Sequence, residues 1–185
     1  VSAAESPPPA VPLDSKDLHE LEVLLFEHIE HQISFADTKA QLTLTAGALL
    51  AAGMAVFGRG SASALLDSTA PLIARLNGLL IVLMVRMLAL SVYYALLAAR
   101  PNFTPPAHGK NLFFFGHIIQ LTEPDFVRAF SEQTEEQVHA ALLSQVYAKS
   151  RIANRKFLRV RHSLNFLVGA FVLWAGAQLL LVLAG

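Results

Sequence analysis

Cysteine is absent from this 185-residue chain, which excludes disulfide staples and thiolate metal sites while leaving the redox compartment open. Charge is scarce as well: 15% of the residues are Asp, Glu, Lys or Arg, against roughly 25% in an ordinary soluble domain. There is no glycine-rich phosphate loop, no HExxH helix and no nucleophile-elbow pattern around Ser150, so the sequence marks of several large enzyme classes are missing. Scattered Ser, His and Asp do not make a triad, and the chain reads as a non-enzyme. His28 and His31 with Glu27 and Glu30 place two or three metal ligands on adjacent faces of one helix. No second cluster joins them in the sequence, and exposed polar residues of an amphipathic helix explain the same letters, so no metal is assigned.

What the chain has in excess is apolar, with 54% hydrophobic residues. Three windows carry the excess: 40–58 and 164–184 without an ionisable residue, and 76–99 with Arg86 alone. Each gives about 20 helical residues, or roughly 30 Å, the thickness of a bilayer core. The sequence predicts an all-α membrane protein with three transmembrane helices. Buried helices of a soluble bundle are the competing source of such windows, but these are long and uniform for a core of this size.

Net charge is zero, yet its distribution is uneven: "KSRIANRKFLRVR", residues 149–161, holds six basic residues and no acid. Lys and Arg collect on the cytoplasmic side of membrane-proximal segments. The expected layout is therefore a disordered leader (1–13), a cytoplasmic amphipathic helix (14–39), a first span (40–58), an outer loop (59–75), a second span (76–99), a cytoplasmic linker and long helix (100–163) and a last span (164–184). The N-terminus lies inside and the C-terminus outside. The leader lacks the basic start and apolar run of a signal peptide, and the missing initiator Met suggests a trimmed or incompletely given start.

The first helix is expected to start at Asp14 or Ser15 and to run without Pro or Gly into the first span. Leu18, Leu21, Leu25, Ile29 and Ile33 make its apolar stripe. From Thr122 onward, "TEPDF" carries a capping hydroxyl, an early Pro and acids, all favourable at a helix start. A helix of about 60 residues is expected to follow into the last span, with Ser150 as the place for any break. Pro101, Pro105, Pro106 and Gly109 mark a linker, and "NLFFFGHIIQL" reads as a short strand or an interfacial segment packed on the helices.

Asp37 and Lys39 stand at the doorstep of the first span. Lys39 is explained as a snorkelling anchor, whereas Asp37 needs a cation, which the run from Lys149 supplies near the same depth. Three readings remain open for these residues: a latch between the first and third helices, a ligand contact, or no special role. Ser150, Asn154, Lys156 and Arg159 offer the hydrogen bonds and cationic contacts that a phosphate takes, beside the plain role of the basic run as a topology signal or lipid anchor. No aromatic interleaving accompanies the charges, so a nucleic-acid polymer is not expected as a partner. Arg86, near the middle of the second span, needs a wet or protein-lined environment and no span offers it an acid, which favours a homo-oligomer. Gly47, Ala51 and Ala55 repeat at four as a small-residue face on which spans approach each other.

Three stretches in order around the spans, "ISFADTKAQ", "NLFFFGHI" and "LLSQVYAKSRIANRKFLRVRHSL", resemble the membrane-spanning effectors of Pycsar, the bacterial pyrimidine-cyclase antiphage system. The resemblance covers about residues 20–180, and the series Gln145, Ser150, Ile152 and Lys156 is similar to the family's closing pattern. It implies a partner cyclase that makes cyclic CMP or cyclic UMP on infection, and an effector in the inner membrane, with no other cofactor. On sensing that ligand the effector impairs the membrane and causes abortive infection. Arg86 and the two arginines of the outer loop depart from the pattern. The family supplies no ligand map, so Asp37, Lys39, Ser150, Asn154, Lys156 and Arg159 stand as ligand residues on physical grounds, and Arg86, Gly47, Ala51 and Ala55 as membrane-coupling residues. A non-signalling scaffold that recruits a partner protein is the competing function.

Overall fold

The computed structural model describes residues 14–57, 65, 67–101 and 111–184. Every regular element among them is helical: α1 Ser15–Phe57, α2 Leu72–Ala99, α3 Phe115–Ile118, α4 Glu123–Ser131 and α5 Glu135–Ala184. The leader, much of the expected outer loop and the linker prolines Pro105 and Pro106 lie outside the described residues. Two compact units divide the chain. The described part of the first is 14–29 with 111–148, and that of the second is 30–101 with 149–184. Helices α1 and α5 each supply an N-terminal part to the first and the remainder to the second.

Helix α1 starts where the Leu18 N–H donates to Asp14 O at 2.9 Å, with Asp17 in the first turn, where a negative charge suits the helix dipole. Its threonines fold their hydroxyls back on the helix: Thr38, Thr43 and Thr45 donate to Ser34 O, Lys39 O and Gln41 O at 3.1, 2.8 and 3.1 Å. A hydroxyl satisfied by its own backbone carries little penalty in apolar surroundings. The predicted stripe of α1 is only partly the buried face. In the first unit Glu22 and Ile29 are buried, whereas Leu18, Leu21 and Leu25 are exposed, because Glu22 has a hydrogen-bonding partner waiting on α5.

In the second unit, buried positions recur at alternating steps of four and three. On α2 they are Asn77, Ile81, Met84, Leu88, Ser91, Ala95 and Ala98; on α1, Ala36, Ala40, Thr43 and Gly47; on α5, Ala153, Lys156, Val160 and Ser163. A repeat of 3.5 rather than 3.6 is that of supercoiled helices, and the small side chains let the backbones approach. Buried contacts set directions as well. Ser91 Oγ donates to Ser163 O at 2.9 Å and Ser163 Oγ to Ser91 O at 2.7 Å, while Met84 packs with Ala170. Moving up α2 therefore means moving down α5, and the two are antiparallel.

Two helices, α2 and α5, are long and apolar enough to cross a membrane, with windows of mean hydropathy 2.2 and 2.3. Only 28% and 11% of those windows is buried inside the protein, the reverse of a soluble core helix; Leu72, Val168, Val172 and Val182 face outward. Among the described residues, two helices rather than the expected three are long and apolar enough to span. The apolar half of α1 is not counted with them, because its window runs past Ala55 into positions outside the described residues.

The expected 60-residue helix from Thr122 is two helices. Its break lies at Glu132–Thr134, and α5 passes through Ser150 unbroken. Thr134 and Gln137 form a reciprocal capping box, with the Thr134 N–H donating to Gln137 Oε1 at 3.1 Å and the Gln137 N–H to Thr134 Oγ1 at 3.3 Å. That pair starts a new helix and so ends the old one. "NLFFFGHIIQL" is neither strand nor extended, but a turn into α3. Asn111 makes the turn by accepting from the Phe113 N–H at 2.8 Å, and its side-chain amide donates to Ala141 O of α5 at 2.8 Å. A β-carbon on Gly116 would lie 2.5 Å from the Phe114 ring, so a larger residue there would push that ring aside.

Candidate functional site

The second unit holds an acid–base ladder between α1 and α5. Glu30 pairs with Lys149 and Asp37 with Lys156. Both steps are seven residues in the same direction, so the helices run parallel with a heptad register. The rungs differ in depth. The Lys156 side chain is 7% exposed against 35% for Asp37, whereas Glu30 stands at 54%. Ala36, Ala40, Ala98 and Val160 make an apolar cluster beside the inner rung, with Phe157 against it. A buried ammonium in such surroundings needs its counter-ion, because desolvation without a partner costs several kcal/mol. A groove of about 520 Å³, lined by Glu30, His31, Ile33, Ser34 and Asp37, runs along the acidic side of the ladder.

The remaining ligand residues predicted from sequence take separate places. Arg159 donates to Leu97 O at 2.7 Å, satisfying a carbonyl in the last turn of α2, a position where cations are favoured. Lys39 sits 4.4 Å from the centre of the Phe35 ring, a cation–π contact rather than a second partner for Asp37. Ser150 is half-buried and Asn154 exposed on α5, among exposed Arg151, Arg155 and Arg161. The structure thus joins Asp37 to Lys156, and leaves Lys39, Arg159 and Asn154 outside that contact.

The coupling residues separate too. Gly47 is buried where α1 meets α2, and a β-carbon there would make an ordinary contact with Leu88 Cδ1 at 3.4 Å, so the position takes a small residue without demanding glycine. Ala51 and Ala55 are exposed. Steps of four overshoot a helical turn by about 40° each, so the row drifts off a seam that alternates four and three. Arg86 is exposed on α2. Two residues from both Met84 and Leu88, it stands about 200° around the helix from the buried seam.

Sequence reasoning missed a cluster in the first unit. Glu22, with its side chain 5% exposed, meets His139 Nδ1 at 2.5 Å, and His139 Nε2 lies 3.6 Å from Glu135. The His19 ring stands edge-on to His139 at 5.9 Å. The Glu22 hydrogen bond leads in holding the His139 imidazole above the ordinary histidine range, against partial desolvation. The local signal was His19 and Glu22 three apart on one helix face; the third member comes from another helix and leaves no mark nearby. The first unit also holds a cavity of about 790 Å³ among Asn111, Leu121, Gln133, Gln137 and Ser144.

All-helical architecture, and long apolar helices that keep most of their apolar surface outward, define a helical membrane-type protein with a polar ladder at one end of its packed helices. Its sequence matches the family model described as PycTM, Pycsar effector protein domain, over residues 23–183, and the chain belongs to that family. Membership makes it an antiviral, abortive-infection effector with transmembrane helical character. Neither the comparison with curated proteins nor that with solved structures finds a match.

Proposed function

We propose that this effector senses a cyclic pyrimidine nucleotide, cyclic CMP or cyclic UMP, made by a partner pyrimidine cyclase, and that binding drives it to impair the bacterial inner membrane without catalysis. The observation that carries the mechanism is the Asp37–Lys156 rung: a buried cation, held by one carboxylate, between two helices that lead toward apolar segments. A cyclic phosphate is a second anion for Lys156. It reaches the ammonium only when Asp37 gives way, so the bound state is one in which α1 and α5 have moved. Such a ligand shifts the equilibrium by its unequal affinity for the latched and unlatched forms.

In this reading α2, α5 and the apolar half of α1 enter the bilayer together as three spans, and several copies assemble around Arg86. The N-terminus and the basic run face the cytoplasm and the C-terminus faces outward, following the basic excess. Cysteine labelling in intact cells tests the orientation, since the chain has no native cysteine. An impermeant reagent is expected to label position 66 and spare 130; the opposite pattern inverts the topology.

The function itself is tested in liposomes that hold the purified chain and a trapped dye. Addition of cyclic CMP or cyclic UMP is expected to release the dye, with cyclic AMP and cyclic GMP as controls. Intact vesicles under every nucleotide, together with tight capture of one partner protein, would turn the assignment to a non-signalling scaffold.

A further inference from the structure

The geometry points to a divalent transition-metal site, of the kind zinc occupies, built by His19, Glu22 and His139 in the first unit. One ligand atom from each of the three lies within 4.8 Å of the other two. Two imidazoles and a carboxylate are a known donor set for zinc, with bonds of about 2.0–2.2 Å that set donor atoms roughly 3.3–3.5 Å apart in a tetrahedron. Binding would require the two rings to turn until the atoms reach that spacing, with the 2.5 Å Glu22–His139 contact opening as the metal replaces the shared proton.

Burial separates this cluster from an ordinary surface group of polar residues. The Glu22 side chain is 5% exposed and that of His139 18%, and a carboxylate so enclosed needs a cation or a strong donor. The second nitrogen of His139 has a carboxylate nearby. Glu135 Oε1 lies 3.6 Å from Nε2, longer than a hydrogen bond, while Nδ1 faces Glu22. A small approach of Glu135 would complete the carboxylate–histidine–metal relay by which proteins fix a ligating imidazole. A cavity of about 540 Å³, lined by Lys16, His19, Glu20, Gln133 and His139, opens beside the cluster. It leaves the fourth coordination position to water or a small anion. The site ties α1 to the start of α5 within one unit, and it stands independently of any messenger.

The test uses the full chain in detergent, without a polyhistidine tag, stripped with chelator and then loaded with zinc. Elemental analysis after desalting is expected to find one zinc ion per chain. Cobalt in its place is expected to give the intense visible absorption of a four-coordinate ion. Glu135→Gln changes an exposed residue that does not ligate, so the fold is kept while affinity falls about tenfold to a hundredfold, the range for outer-shell partners. His19→Ala with His139→Ala is expected to remove the ion, and His28→Ala with His31→Ala to leave it in place. A wild-type chain that desalts free of metal overturns the proposal and leaves Glu22 and His139 as a hydrogen-bonded pair. Equal retention by the His19→Ala/His139→Ala chain overturns it as well.

Discussion

Asp37→Ala is expected to lower the stability of the detergent-solubilised protein by about 3 kcal/mol and to make liposomes leak before any messenger is added. Removing one member of a buried ion pair typically costs 3–5 kcal/mol, because the charge left behind has neither water nor partner. Lys156 is the buried member, with 7% of its side chain exposed, and Asp37 at 35% is half in solvent, which puts the cost at the lower end. The leak follows from the same imbalance: an unpaired ammonium is relieved when α1 and α5 part, so the unlatched form gains what the latched form loses. Asp37→Ala/Lys156→Met provides the control. Replacing both charges by apolar groups is often neutral or stabilising, so the double variant is expected to recover stability, stay closed and fail to respond to nucleotide. The measurements are denaturant unfolding and dye release at matched incorporation. Wild-type stability with a wild-type dose response in Asp37→Ala would reduce the rung to a surface contact and move the sensor elsewhere.

The long apolar helices are legible in the sequence because hydropathy adds along a window and tolerates one exception, as at Arg86. The α1 helix is legible for a similar reason, since nothing between Lys16 and Gln41 stops it. Packing partners are another matter. About half the seam of the second unit is Ala, Ser or Gly, which carry weak hydropathy signals, and in the first unit the conspicuous Leu18, Leu21 and Leu25 are exposed while Ile29 of the same stripe is buried. The break before α5 was written as Thr134–Gln137, a capping box, but it sits in a polar helical stretch where Thr and Gln are unremarkable. Asp37 announced its need for a cation by standing beside a span. Which of six basic residues would meet it depended on the parallel heptad register, and that is a tertiary property. The His19–Glu22–His139 cluster joins positions more than a hundred residues apart, beyond the reach of any local motif.

Arg86→Leu is expected to abolish most messenger-driven dye release while leaving insertion and nucleotide binding unchanged. The arginine stands on the side of α2 opposite its buried seam and is exposed, so in a lone inserted chain it faces lipid. At mid-span that exposure costs about 2.5–3.5 kcal/mol on insertion scales. An assembly of several copies removes the penalty by turning the guanidinium toward carbonyls, water or a neighbouring chain, and the relief favours association. Leucine has no such penalty in lipid. The variant therefore loses about 3 kcal/mol of assembly preference, a factor of roughly 150 in the association constant, and its inward face loses the charge that would keep a path hydrated. Nucleotide binding is read separately from release, since the ladder lies on α1 and α5 and Arg86 on α2. Cross-linking in the same vesicles reports the assembly. A release curve superimposable on wild type, with cross-linked species unchanged, would make Arg86 a snorkelling side chain without a role and send the search for the disrupting surface to the exposed Ala51 and Ala55 of α1.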